Sequence, residues 1–179
     1  AADVVNSVRA LRNFEPSQAG KRWIVWEHSQ GGHSALWTGK LAEKIAPELD
    51  LIAVGAAAPA AELMVIMQNQ WNGTIGWVIG PEALVSFKDR YPDRDFDAII
   101  SDLGKRQLDK LLSECTTPAA LQGAAYEKFG GQFFKSSPVD SPAWAQTGLA
   151  QTPQPLPASM PLFMSEGTAD TIVLSGSNA

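Results

Sequence analysis

The chain has 179 residues, enough for a domain with a sizeable core, and its 45% hydrophobic and 18% charged residues exclude a disordered segment. A net charge of -5 argues against nucleic acid or an anionic membrane as the main partner. No run of about 18 uninterrupted apolar residues appears, so no stable membrane insertion is expected.

Asp3 to Phe14 carries Val4, Val5, Val8, Leu11 and Phe14 at near-helical spacing, which predicts an amphipathic helix with Asp3 as a candidate cap. Ala1-Ala2-Asp3 has neither the basic head nor the apolar run of a signal peptide; a mature secreted protein would read the same way. Glu15 to Gly20 is a turn region. Trp23-Ile24-Val25-Trp26 then predicts a short buried strand. Glu27-His28-Ser29-Gln30-Gly31-Gly32 follows, and from His33 to Ile45 the pattern is helical until Pro47 closes it. Leu49 to Gly55 predicts a second buried strand. Helix, strand, helix and strand in this order imply parallel strands with crossovers, an α/β sheet.

Beyond Ala56 the alternation stops. Leu63 to Trp71 is rich in Leu, Met, Val and Ile. Helices are expected at Pro81 to Tyr91 with the proline near the first turn, at Phe96 to Leu103, and at Lys105 to Cys115. Another is expected at Thr117 to Phe129, with Thr117 or Thr116 capping. This makes a mainly helical insertion, far longer than an ordinary loop. Gln151 to Pro157 is proline-rich and reads as an extended connector. Met160 to Ser165 is a third strand candidate. Glu166-Gly167-Thr168-Ala169-Asp170 makes a tight loop after it, a usual place for a functional carboxylate in an α/β sheet. The expected division is residues 1–59, the insertion 60–155, and 156–179.

A strand that turns into a helix with a serine at the corner has the geometry of a nucleophile elbow. The turn is tight, so small residues must flank it, and the helix N-terminus behind it favours developing negative charge. Ser29 is the candidate nucleophile; the alternative is a plain serine in a glycine-rich turn. A serine hydroxyl needs a base within hydrogen-bond reach. The chain has two histidines, His28 and His33, both in this stretch, and its single cysteine, Cys115, excludes an internal disulfide. No metal-ligand spacing, phosphate-binding loop or cofactor fingerprint appears, so no cofactor and no metal is expected.

Glu27 to Trp37, with the run His28-Ser29-Gln30-Gly31-Gly32-His33-Ser34-Ala35-Leu36, resembles the nucleophile elbow of α/β-hydrolases, and in particular that of secretory lipases of fungi and actinobacteria. Gly55 to Leu63 resembles the start of their cap, and Pro161 to Val173 their acid loop. The resemblance implies a partial α/β-hydrolase fold, a parallel sheet with flanking helices and a helical cap inserted between strands. It implies a secreted lipase or carboxylesterase acting on a lipid or small-molecule ester through an acyl-enzyme. Ser29 matches the nucleophile and Gln30 the residue whose backbone N–H helps form the oxyanion hole. Asp170 matches the acid that orients a catalytic histidine, or else it stabilises the turn after Gly167. Gly31 matches the second glycine of the corner. His28, pointing sideways or into the sheet, and His33, on the helix, match positions that support the site. Glu27 departs from the pattern, which usually has glycine there.

The resemblance also implies a histidine after the acid, and none follows Asp170; nor does a loop for a second oxyanion donor lie within residues 1–22. A fragment with weak or no activity of its own is therefore expected, with sheet edges covered by a missing chain segment or by self-association. Leu63, Met64, Ile66, Met67, Trp71, Ile75, Trp77, Val78 and Ile79 either line an acyl pocket or pack the cap. Asn72-Gly73-Thr74 has the form of an N-glycosylation sequon. The competing reading is a non-catalytic domain that uses a hydrolase scaffold to hold a lipid or a protein.

Overall fold

The structure is a computed structural model and describes residues 1–178. The chain forms two compact units, one made of residues 1–62 with those from 152 onward, the other of Leu63–Gln151.

The first unit contains helix α1 (Ala2–Asn13), strand β1 (Arg22–His28), helix α2 (Gln30–Ile45) and strands β2 (Asp50–Ala57) and β3 (Leu162–Ser165). Among the described residues the strands form one sheet in the order β1-β2-β3, parallel throughout. Parallel neighbours need a crossover, and α2 supplies it between β1 and β2. Val25 pairs with Val54 and His28 with Ala57 across the first ladder; Val54 pairs with Leu162 and Ala57 with Ser165 across the second. Val25, Ala35, Leu36, Val54 and Ala56 form the core between α2 and the sheet, with Leu156 of the proline-rich connector packed against it. Small residues let the helix come close: a Cβ on Gly39 would lie 2.7 Å from Val54 Cγ2. Val5 of α1, fully buried, packs on Ala46 and Leu49.

Two expectations about this unit are corrected. The N-cap of α1 is Ala1, and Asp3 lies inside the first turn, where its carboxylate faces the positive end of the helix dipole. Strand β1 is not buried along its length: Val25 is, while Ile24 and Trp26 are 62% and 60% exposed. Successive side chains point to opposite faces of a strand, and β1 lies at the sheet edge with α2 on one face. Phe163 of β3 is exposed in the same way.

The second unit contains α3 (Leu63–Gln70), α4 (Thr74–Arg90), α5 (Asp102–Ser113), α6 (Thr116–Lys128) and α7 (Pro142–Ala150), with 3-10 turns at Asp97–Ile99 and Pro138–Asp140. Its core is aromatic: Trp77, Phe96, Phe133, Phe134 and Trp144 are all nearly inaccessible. Trp144 stands edge-on to Phe134 at 5.0 Å and to Phe96 at 5.8 Å. Its indole N–H donates to the Phe96 carbonyl at 2.9 Å, so the buried polar atom is satisfied.

Three helix expectations fail here. Helix α4 starts at Thr74, so Pro81 lies inside it and not near its first turn. Its cap is tertiary: Glu127 Oε2 of α6 accepts from Thr74 N at 2.8 Å and from the Thr74 hydroxyl at 2.6 Å. Phe96 to Leu103 is not a helix. After the 3-10 turn, Ile100 extends and bridges to Phe134, and Ser101 caps α5 by accepting from Gly104 N at 2.9 Å. Neither threonine caps α6; Cys115 is at the N-cap without a side-chain bond, and Thr116 is already helical.

Candidate active site

Ser29 sits between the last residue of β1 and the first of α2, with φ 57° and ψ -123°. A side chain rarely adopts this conformation, which costs about 1–3 kcal/mol and persists only where surrounding bonds impose it. Those bonds are present. Ser29 N–H donates to the Ala57 carbonyl at 2.9 Å, and the Ser29 carbonyl accepts from Ala60 N at 3.1 Å and His33 N at 3.2 Å. The corner is thus tied to the end of β2 and to its own helix.

Two glycines make room. A Cβ on Gly32 would lie 2.9 Å from Pro59 Cβ, and one on Gly31 would lie 2.6 Å from Glu27 Oε2. Glu27, the residue that departs from the small-residue pattern, therefore folds its side chain over Gly31 and is exposed rather than buried. Gln30 opens α2, and its side chain is exposed. Its backbone N–H belongs to the first turn, whose donors point out of the helix and carry the positive end of its dipole.

The histidines are placed differently from each other. His28 is exposed at the end of β1, which corrects the expectation that it could point into the sheet. His33 is half-buried one turn into α2, and its Nε2 accepts from the Trp37 indole N–H at 3.2 Å.

Asp170 closes the loop after β3. Its N–H donates to the Gly167 carbonyl at 3.1 Å, and its Oδ1 accepts from Ile172 N at 2.8 Å and Val173 N at 3.1 Å. The carboxylate is held by its own loop through one oxygen. Because all three strands are parallel, Ser29 and Asp170 lie at the same, carboxyl, edge of the sheet, with the end of β2 between them. At about 4.8 Å per strand, the backbones at the ends of β1 and β3 are about 10 Å apart. No hydrogen bond joins Ser29 to Asp170 among the described residues.

Ala58 and Pro59, which the sequence placed only in the stretch resembling the start of the cap, lead out of the end of β2, and Pro59 lies against Gly32. Ala58, buried and with φ 40°, donates its N–H to the Ser165 carbonyl at 2.7 Å and so locks β2 to β3 where the two loops diverge. The signal for it was an Ala-Pro pair at the end of an apolar strand.

The model of the secretory lipase family matches residues 1–176. The chain belongs to the secretory lipase family. Among solved structures it is similar to Candida antarctica lipase A, with a TM-score of 0.70 at 16% identity, over 98% of this chain and 43% of that one. It is also similar to the rice cell wall degrading esterase LipA from Xanthomonas oryzae, with a TM-score of 0.70 at 17% identity, over 95% of this chain and 49% of that one. No curated protein matches it. At these identities the likeness shows the α/β-hydrolase fold, and the chain spans less than half the length of either structure. In this secretory lipase family member a serine in a constrained strand-to-helix corner and an aspartate on a braced loop thus share the carboxyl edge of the sheet. A hydroxyl at a helix N-terminus and a carboxylate at the same sheet edge can support nucleophilic attack where a base joins them.

Proposed function

We propose that this chain carries the nucleophile and the acid of a carboxylic-ester hydrolase, a lipase or esterase, that it is secreted, and that its substrate is a lipid or small ester. The observation that carries the reading is the backbone of Ser29, φ 57° and ψ -123° at the corner from β1 into α2. Such strain is stored at functional corners and is not needed to connect a strand to a helix.

In the proposed reaction Ser29 Oγ attacks the ester carbonyl carbon. Its proton passes to a base, and charge gathers on the carbonyl oxygen. The Gln30 N–H at the start of α2 donates to that oxygen. The C–O bond to the leaving alcohol breaks, and the alkoxide takes the proton from the base. Water then repeats the attack on the acyl-enzyme and releases the acid. Asp170 Oδ2 orients the base and stabilises its charged form. Neither histidine of the chain suits that part: His28 is exposed and His33 is bonded along α2 to Trp37. The chain alone is therefore a weak esterase.

The test pairs two measurements. A fluorophosphonate should label Ser29 slowly and stoichiometrically, and Ser29→Ala should abolish labelling. Hydrolysis of p-nitrophenyl butyrate should be slow. Rapid turnover that survives Ser29→Ala would sink the nucleophile assignment, and rapid turnover that depends on Ser29 would sink the argument that the base is not in this chain.

A further inference from the structure

Strand β1 is an edge of the sheet, and among the described residues no strand pairs with its outer side. Two bonds at its ends show which backbone groups face outward. The Lys21 carbonyl accepts from Asp50 N at 2.9 Å, and Ser29 N–H donates to the Ala57 carbonyl at 2.9 Å. The N–H and C=O groups of successive strand residues point alternately to the two sides, so the odd residues from 21 to 29 bond β2. The one irregularity of this ladder, between Trp23 and Ile24, takes its extra residue, Ile52, from β2, so the alternation along β1 is unbroken. Arg22, Ile24, Trp26 and His28 therefore present their N–H and C=O groups outward. Their side chains lie on the sheet face opposite to that of Val25, which packs under α2, and all four are exposed.

An apolar edge is ordinarily guarded by a proline, a lysine or a bulge of its own, and Trp23 to Trp26 holds none of these. The strand is also complementary to itself. Turned antiparallel about Val25, a second copy sets Arg22 opposite His28 and Ile24 opposite Trp26. These are the residues with free backbone groups, so each pair exchanges two N–H···O bonds. Ile24 against Trp26 joins a β-branched to an aromatic side chain, a favourable cross-strand pair that symmetry repeats. The neighbouring registers that keep these bonds set Ile24 against Ile24 or Trp26 against Trp26, and shorten the ladder to residues 22–26 or 24–28. Ile24 and Trp26 are 62% and 60% exposed, and with the bare backbone they offer on the order of 400 Å² per copy. A standard interface takes about 800 Å² per partner, so the pairing is weak.

We propose that β1 pairs antiparallel with β1 of a second copy of this chain about Val25, joining the two sheets into one. The dimer is closed by a twofold axis normal to the sheet and does not depend on the chemistry of Ser29.

Sedimentation velocity from about 1 to 500 µM should show a monomer–dimer equilibrium with a dissociation constant on the order of 10–100 µM. Amide exchange at Ile24 and Trp26 should slow as the concentration rises. Ile24→Glu and Trp26→Lys should each weaken association by at least about tenfold. The double variant sets opposite charges across both pairs and should recover most of the loss. Phe163→Lys alters the same face of the sheet, in register with Trp26 but away from the edge, and should leave association unchanged. Far-UV circular dichroism reports an intact fold in all four variants. A monomer at every concentration, growth beyond a dimer, or a double variant no better than the single ones would each overturn the proposal. Equal loss in Phe163→Lys would overturn it too, and would assign association to the open face of the sheet.

Discussion

Replacing Ser29 by glycine should stabilise the sheet unit, although it removes the proposed nucleophile. Glycine adopts positive φ as readily as negative, so the substitution releases about 1–3 kcal/mol of backbone strain. Against this, glycine has more freedom to lose on folding, about 0.5–1 kcal/mol. The hydroxyl forms no cap bond to α2, so little is lost with the side chain. The expected net gain is about 0.5–2 kcal/mol. Ser29→Ala keeps the Cβ and with it the strain, and should be near neutral. Native-state hydrogen exchange of the α2 and β2 amides isolates the unit that holds Ser29, which matters because two compact units need not unfold together. Exchange in Ser29→Gly should slow by about 2- to 30-fold relative to Ser29→Ala, since about 1.4 kcal/mol is tenfold. Equal or faster exchange in the glycine variant would refute the idea that the corner is strained, and with it the observation that carries the functional reading.

The neighbouring glycines should behave unequally. Gly32→Ala places a Cβ 2.9 Å from Pro59 Cβ and 3.0 Å from its Cα, atoms that cannot swing away, and should cost about 1–2 kcal/mol in urea denaturation. Gly31→Ala meets Glu27, a flexible side chain, and should be neutral or gain up to about 1 kcal/mol from helix propensity. The hydrogen bond from Arg9 Nε at 2.7 Å holds the Glu48 carboxyl below its ordinary value of 4.5. The native state therefore binds fewer protons than the unfolded chain as pH falls past that value. The contribution of Glu48 is complete above about 4.5 and is lost as pH drops through the lower folded value. Glu48→Gln should flatten stability against pH in that window and nowhere else, and 1 M salt should shrink the difference, since both groups are exposed. An equal difference at pH 7 and pH 3 would mean that Glu48 acts through packing.

The legible parts of this fold are those where the residues themselves enforce the geometry. The switch from Trp23-Ile24-Val25-Trp26 to a serine followed by Gly31 and Gly32, and then to a helical pattern, favours a tight strand-to-helix corner. The loop Glu166 to Asp170 was legible for the same reason, because a glycine turn follows an apolar run. What could not be read depends on distant partners. Gly76, Gly80 and Pro81 argue against a helix at Thr74, and the carboxylate that caps it comes from Glu127, 53 residues away. Phe96, Ile99, Ile100 and Leu103 have the spacing of an amphipathic helix. Yet Asp95 Oδ1 takes the N–H groups of Asp97 and Ala98, and Ile100 leaves to bridge Phe134. The exposure of Ile24, Trp26 and Phe163 was invisible too, since an apolar strand does not say how many of its faces are covered.

Asp170 is the residue on which the two readings of the site divide. Its Oδ1 accepts from Ile172 N and Val173 N, as any aspartate that shapes a turn would do. A carboxylate that orients a base needs the same bracing, because a free side chain would lose its geometry. The bonds themselves therefore favour neither reading, and the charge separates them. Asp170→Asn keeps an oxygen for both N–H groups, so a turn residue loses little: stability should fall by less than about 0.5 kcal/mol, against about 1 kcal/mol for Asp170→Ala. An orienting carboxylate loses its function in Asp170→Asn, because the amide can no longer stabilise a charged base. With imidazole added as an external base, fluorophosphonate labelling of Ser29 should then be slower in Asp170→Asn than in the native chain, at unchanged stability. If imidazole accelerates labelling in the native chain and Asp170→Asn responds equally, Asp170 is a turn residue only.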